Sequence, residues 1–141
     1  MDQALITGST GLIGKALARH LLSKGIEVIC IGRRKLSDDE IIDTFGQKVN
    51  YHYCLMKDIN NLPDIIKKKS SAILNECCFF HLAWGTELGL TTGTLKDQME
   101  NATYSAIAIK IAKKIGCSKF ITSGSLEETF IEEFISSKSN K

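Results

Sequence analysis

The stretch Thr7-Gly8-Ser9-Thr10-Gly11-Leu12-Ile13-Gly14 constrains this chain more than any other, because of what flanks it. Residues 3–7 (QALIT) form a short apolar run of strand length, and LIGKALARHLLSKG from Leu12 repeats apolar residues at helical spacing. The spacing predicts a helix with Leu12, Ala16, Leu17, Leu21 and Leu22 on one face, Lys15, Arg19 and Lys24 mostly opposite, and Gly25 as its stop. Glycines between a strand and a helix let the backbone turn tightly and approach a pyrophosphate, which the amides and dipole at the helix start attract. Gly14, one turn into the helix, lets helix and strand pack closely.

The rest of the chain continues the alternation. IEVICIG (26–32) is a nearly continuous β-branched run, as in a strand buried on both faces of a parallel sheet. DDEIIDTF after Ser37 reads as a capped helix, VNYHYCL (49–55) as a third strand, and LPDIIKKKSSAIL as a helix with Pro63 near its first turn. CCFFHLA (77–83) reads as a fourth strand and SKFITSG (118–124) as a fifth. Between them, Thr94 to Ile115 gives a long helix with Met99, Ala102, Ala106, Ile107, Ile109, Ile111, Ala112 and Ile115 apolar, stopped by Gly116. Strands and helices alternating at this length predict an α/β fold: a doubly wound, Rossmann-type parallel sheet of about five strands in the order 3-2-1-4-5, with a ligand across the strands' carboxyl ends.

At 141 residues the chain holds one core. We read residues 1–125 as the dinucleotide-binding domain and 126–141 as an amphipathic helix, with Phe130 and Phe134 and then Ile131 and Ile135 four apart, ending in a frayed polar tail. A net charge of +2 implies neither a nucleic-acid nor a membrane surface. No apolar run reaches spanning length and the N-terminus lacks a signal-peptide pattern, so a cytoplasmic location is expected. Cys30, Cys54, Cys77, Cys78 and Cys117 form no CxxC pair, and all but Cys117 lie in apolar runs, which predicts buried thiols rather than a metal or redox site.

Gly14-Lys15 looks like the end of a triphosphate-binding P-loop, but five residues separate Gly8 from Gly14, and Ala16 replaces the magnesium-binding hydroxyl. A glycine turn without a ligand is the plain alternative; a strand before, a helix after and a second strand on cue argue against it. The spacing also differs from GxGxxG, with two residues between Gly8 and Gly11. Thr-Gly-x-x-Gly-x-x-Gly instead resembles the short-chain dehydrogenase/reductase superfamily, in particular its extended branch, the NAD-dependent epimerase/dehydratase family acting on nucleotide sugars. The resemblance runs from about Ala4 to Phe130.

That resemblance implies a nicotinamide dinucleotide held by Thr7, Gly8, Thr10, Gly11, Leu12, Ile13 and Gly14. Asp58-Ile59 resembles the pair that holds the adenine, and His81-Leu82-Ala83-Trp84-Gly85 resembles the segment lying along the cofactor, which carries Leu82, Ala83 and Trp84 over as cofactor contacts. Asn101 falls where the family places an asparagine. An NAD site uses a carboxylate at the end of the second strand for the ribose 2′-hydroxyl, whereas an NADP site uses a small residue and a cation for the 2′-phosphate. Here that strand ends Gly32-Arg33-Arg34, with Glu27 at its far start as a solvated loop carboxylate, so Arg33, aided by Arg34 or Lys35, favours NADP over NAD.

The family's proton transfer uses a Tyr and Lys in YxxxK past the fifth strand, with a Ser or Thr orienting the substrate. Gly124-Ser125-Leu126-Glu127-Glu128 resembles the serine segment, with Thr129-Phe130 where the family has Tyr-Gly, and Ser125 is equally a helix cap. The tyrosines are Tyr51, Tyr53 and Tyr104, and none follows Ser125. Tyr53-Cys-Leu-Met-Lys57 spells the motif on a strand rather than on a helix, a chance match. The chain stops near the fifth strand, so a fragment or truncated product is expected: the NAD(P)-binding portion of an epimerase/dehydratase-like oxidoreductase, binding without turnover. The complete enzyme would take a sugar nucleotide and could form a homodimer. The alternative is a non-catalytic nucleotide-sensing module, in which the apolar faces left by a missing half would be covered.

Overall fold

The computed structural model describes residues 2–67, 76–85 and 94–124. Strand β1 (Gln3–Thr7) leads through the glycine turn into helix α1 (Leu12–Ser23), which returns the chain to β2 (Glu27–Gly32). Helix α2 (Asp38–Phe45) leads to β3 (Asn50–Tyr53), then a 3-10 turn (Met56–Asn61) and α3 (Leu62–Lys67). Strand β4 (Cys78–His81), helix α4 (Leu95–Lys114) and β5 (Lys119–Thr122) complete the described part. All strand pairs are parallel and the order is β3-β2-β1-β4-β5. The chain winds outward from β1 to β3 and then crosses to the other side of β1, so a switch point opens between the carboxyl ends of β1 and β4.

Successive side chains of a strand face opposite sides, and both sides of this sheet are covered. Ala4, Ile6, Val28 and Cys30 pack with Ala18 and Leu21 of α1 and Ile41 and Phe45 of α2. Leu5, Ile29, Ile31 and Phe79 pack on the other side with Ile59, Leu62 and Ile66 and with Ala108, Ile111 and Ala112 of α4. Ala4, Leu5, Ile6, Ile29, Cys30 and Ile31 are wholly buried, which is why both central strands read as unbroken apolar runs.

Local chemistry sets the helix ends. Ser37 Oγ accepts from Glu40 N while Glu40 Oε2 accepts from Ser37 N, a capping box that starts α2. Thr94 and Asp97 start α4 in the same way. Two amphipathic faces differ from those the spacing predicts. On α1 the buried residues are Gly14, Ala18 and Leu21, with Leu17 and Leu22 partly buried; Leu12 is 86% exposed and Ala16 also faces solvent. Gly14 sits against the Gly8 carbonyl, and this contact turns the helix so that the face through 14, 18 and 21 meets the sheet. On α4, Ile111 and Ala112 are buried and Ile107 and Ile115 partly so, whereas Met99, Ala102, Ala106 and Ile109 face solvent.

The third helix is described only to Lys67, and its predicted continuation through Leu74 lies outside the described residues, as do Ser125 and the tail. Four of the cysteines are buried, Cys117 is partly so, and all are free thiols. Among the described residues no helix is long and apolar enough to cross a membrane.

Candidate functional site

A groove of about 910 Å³ runs across the carboxyl ends of the strands. Gly8, Thr10 and Gly11 of the glycine turn form its floor. The end of β2 (Ile31 to Arg34) and the segment after β3 (Cys54 to Lys57) make one wall; Leu82 to Gly85 after β4 and Asp97, Glu100, Asn101 and Tyr104 of α4 make the other.

The turn is held from both sides. Ser9 donates to the Ile31 carbonyl from its backbone N at 3.1 Å and from its hydroxyl at 3.0 Å, tying the turn to β2. Leu82 N donates to the Thr7 carbonyl at 3.1 Å, tying β1 to the segment after β4. Gly8 has φ of +71°, and a Cβ there would lie 2.7 Å from the Leu82 carbonyl carbon and 2.8 Å from Ala83 N. Only a residue without a side chain fits between the turn and the β4 backbone. Gly14 is equally confined, since its Cβ would run into the Gly8 carbonyl. Gly11 caps α1 with no side-chain hydrogen bond, and the first turn of α1 carries no acidic residue. The positive end of that helix therefore presents its backbone amides uncapped beside the groove.

The predicted residues divide by position. Gly8, Thr10, Gly11, Arg33, Leu82, Ala83, Trp84 and Asn101 line the groove together. Thr7 lies wholly buried beneath it, its Oγ1 sharing a 2.8 Å hydrogen bond with His81 Nδ1. Burial pushes the His81 imidazole down to about 4, so it is neutral there. Leu12 and Ile13 do not line the groove; their side chains are 86% and 64% exposed to solvent. Asp58 is exposed on the 3-10 turn and Ile59 is wholly buried in the core; the groove wall beside them is Cys54 to Lys57. Ser125 lies outside the described residues. Glu27 stands at the start of β2, where Gln3 Nε2 donates to it at 2.6 Å, at the opposite end of the strand from the groove. Tyr53 is exposed at the end of β3 with Lys35 Nζ 5.5 Å from its ring centroid, and among the pair Tyr53 and Lys57 only Lys57 lines the groove.

Asn101 joins α4 to the wall after β4. Its Oδ1 accepts from Gly85 N at 2.7 Å, which also fixes which end of the amide is which. Its Nδ2 is buried and has no partner among the described residues. The sequence reading missed Tyr104, Asp97 and Glu100, although Asp97, Asn101 and Tyr104 share a helical face by their spacing of four and three. The two walls differ in charge: Arg33, Arg34 and Lys57 stand on the wall made by the ends of β2 and β3, and Asp97 and Glu100 on the wall that includes α4. Hydrogen bonds from Thr94 hold the Asp97 carboxyl below its ordinary value. Among the described residues no cluster of His, Cys, Asp or Glu could hold a metal ion.

Comparison with known proteins agrees with this geometry. A family model described as the NAD dependent epimerase/dehydratase family matches residues 4–132. No curated protein sequence matches the chain. A UDP-glucose 4-epimerase from Bifidobacterium longum in complex with NAD+ and UDP superposes with a TM-score of 0.68 at 21% identity, over 88% of this chain and 37% of that one. A UDP-glucose-4-epimerase from Stenotrophomonas maltophila, with bound NAD and formylated UDP-arabinopyranose, gives 0.69 at 17% identity, over 90% and 38%. One from Thermotoga maritima with UDP-glucose gives 0.62 at 19%, over 87% and 38%. The chain thus spans little more than a third of the length of these structures, and at such identities the likeness establishes a shared fold. With the family pattern matched from Ala4 almost to the end and the sheet order of a dinucleotide-binding fold in place, the chain belongs to the NAD dependent epimerase/dehydratase family.

Proposed function

We propose that the chain is the NAD(P)-binding portion of an epimerase/dehydratase-type oxidoreductase whose complete form acts on a nucleotide sugar. The observation that carries this reading is the glycine turn at the switch point between β1 and β4, where Gly8 is pressed so closely on the Leu82 backbone that a Cβ has no room. A dinucleotide fits the residues present. The uncapped start of α1, with the backbone amides of Leu12 and Ile13 and the Thr10 side chain, holds the pyrophosphate, and Gly11, whose own N donates to the Gly8 carbonyl, lets it come close. The wall beside Asp58 and Ile59 holds the adenine, and Leu82, Ala83 and Trp84 flank the nicotinamide half. Asn101 Nδ2, buried without a partner among the described residues, donates to the ligand.

At the end of β2 there is a glycine and no carboxylate, and Arg33, with Arg34 and Lys57, gives that end of the groove a cationic character suited to a 2′-phosphate. NADP is therefore favoured over NAD. The nicotinamide, when bound, supplies the hydride chemistry of epimerisation, dehydration or reduction. The protein's own part is to fix the dinucleotide, and Ser125, following Gly124, would orient a substrate hydroxyl or carbonyl. The role proposed for this chain is to bind the dinucleotide.

Solved neighbours that carry UDP, UDP-glucose and NAD support a nucleotide sugar as the complete enzyme's substrate. Leu95, Met99 and Ile109, exposed along α4, support a portion of a larger enzyme over a self-contained nucleotide sensor. Calorimetric titration of the chain with NADP, NADPH, NAD and NADH, repeated on Arg33→Ala, tests the reading. Micromolar NADP(H) binding, weakened by the substitution while NAD(H) is unaffected, is expected; a folded chain that binds none of them overturns it.

A further inference from the structure

Gly32 ends β2 at the place where a site selective for NAD would root its carboxylate. It has no room for any side chain. A Cβ on Gly32 would collide with the Tyr51 hydroxyl, and would lie 3.1 Å from Tyr51 Cζ and 3.2 Å from the methyl of Thr10 in the glycine turn. Tyr51 reaches this point from β3, where it pairs with Cys30 rather than with Gly32, so its hydroxyl arrives diagonally under the strand end. It is only 7% exposed, with its ring 6.2 Å from that of Phe45. Its hydroxyl donates to the Arg34 carbonyl at 2.7 Å. Burial pushes the phenol up to about 12, so it remains a donor across the working pH range.

We propose that Tyr51 is the specificity-determining residue of the groove. Its hydroxyl fills the volume in which a carboxylate-bearing side chain at position 32 would start, and by holding the Arg34 carbonyl it fixes the backbone that carries Arg33 and Arg34 on the groove wall. One buried phenol thereby excludes the group that selects a ribose 2′-hydroxyl and positions the cations that select a 2′-phosphate. The inference rests on the dinucleotide reading above and names what decides between its two cofactors.

The test uses the full chain and four variants: Tyr51→Phe, Gly32→Ala, Gly32→Asp/Tyr51→Phe and Gly32→Ala/Tyr51→Phe. Calorimetry gives the ratio of NADP to NAD affinity and urea unfolding gives stability. Tyr51→Phe keeps the ring and should lower the ratio about fivefold, the effect of one lost hydrogen bond. Gly32→Asp/Tyr51→Phe should bind NAD at least about tenfold more tightly than the parent, as one well-placed charge-assisted bond allows. Gly32→Ala should be strongly destabilising alone and clearly less so beside Tyr51→Phe, which removes the colliding hydroxyl and leaves the tight contacts to Cζ and the Thr10 methyl. A parent that selects NADP while Tyr51→Phe keeps its ratio overturns this inference alone. So does a Gly32→Ala cost that is the same with and without the hydroxyl, a readout that survives if the aspartate variant does not fold. A parent that binds neither dinucleotide overturns the underlying reading and this inference with it.

Discussion

Gly8 and Gly25 occupy the same left-handed region, with φ of +71° and +74°, and differ in what surrounds them. A Cβ on Gly25 meets nothing within 4 Å, so Gly25→Ala carries only the conformational cost of an L-residue at positive φ, about 1–2 kcal/mol. A Cβ on Gly8 falls 2.7 Å from the Leu82 carbonyl carbon and its oxygen and 2.8 Å from Ala83 N. Ordinary contact needs roughly 3.5–4.0 Å, and these are backbone atoms that cannot swing aside. Leu82 N is moreover bonded to the Thr7 carbonyl at 3.1 Å, so relief requires parting β1 from the segment after β4. Overpacking of this kind costs about 1–3 kcal/mol, which puts Gly8→Ala about 2–5 kcal/mol below the parent. That is a large share of the roughly 5–15 kcal/mol that holds a domain together. Equilibrium urea unfolding followed by circular dichroism measures both variants, and dinucleotide titration should find Gly8→Ala weakened where Gly25→Ala is unchanged. Equal destabilisation by the two substitutions would refute the close-approach explanation for this turn.

Other consequences can be checked on the same preparation. Because burial holds His81 near 4 against an ordinary 6.5, the unfolded chain takes up a proton that the folded one refuses as pH falls through that interval. Its contribution is complete above about pH 6.5 and is lost on the way to about pH 4, on the order of 3 kcal/mol. His81→Gln should flatten that part of the curve, and an identical acid loss in the variant would assign it elsewhere. Asn101→Ala removes the acceptor of the 2.7 Å bond from Gly85 N and should cost about 1–2 kcal/mol, with faster amide exchange at Gly85. Ser37→Ala opens the capping box of α2 and should cost about 1 kcal/mol by urea midpoint, with Ser37→Asp close to the parent.

Much of this molecule is written locally. The unbroken runs 3–7 and 26–32 read as buried strands because each really is covered on both sides, and Ser37 announces a helix because its cap is a contact between residues three apart. The glycine turn was legible for the same reason: its flanking strand and helix are its immediate neighbours in sequence. The helix faces were less so. Counting Leu12 and Ala16 as core assumed that apolar residues choose the buried face, whereas the meeting of Gly14 with the Gly8 carbonyl chose it and left Leu12 in solvent. On α4 the spacing marked many apolar residues without telling which side meets the sheet.

By itself, then, the sequence determined the alternating elements, the glycine turn and the basic end of β2, all of which depend on residues near one another in the chain, and the alternation in turn predicted a doubly wound sheet. What lies across the groove was decided by tertiary structure. That Tyr51 stands beneath Gly32, that Asn101 holds Gly85, and that His81 is hydrogen-bonded to Thr7 are consequences of strand register and of the crossing between β1 and β4, which bring together residues from 16 to 74 positions apart. No local pattern encodes such meetings, because each side chain satisfies its own element equally well whatever faces it; only the packed sheet makes one hydroxyl fill the place of another residue's side chain.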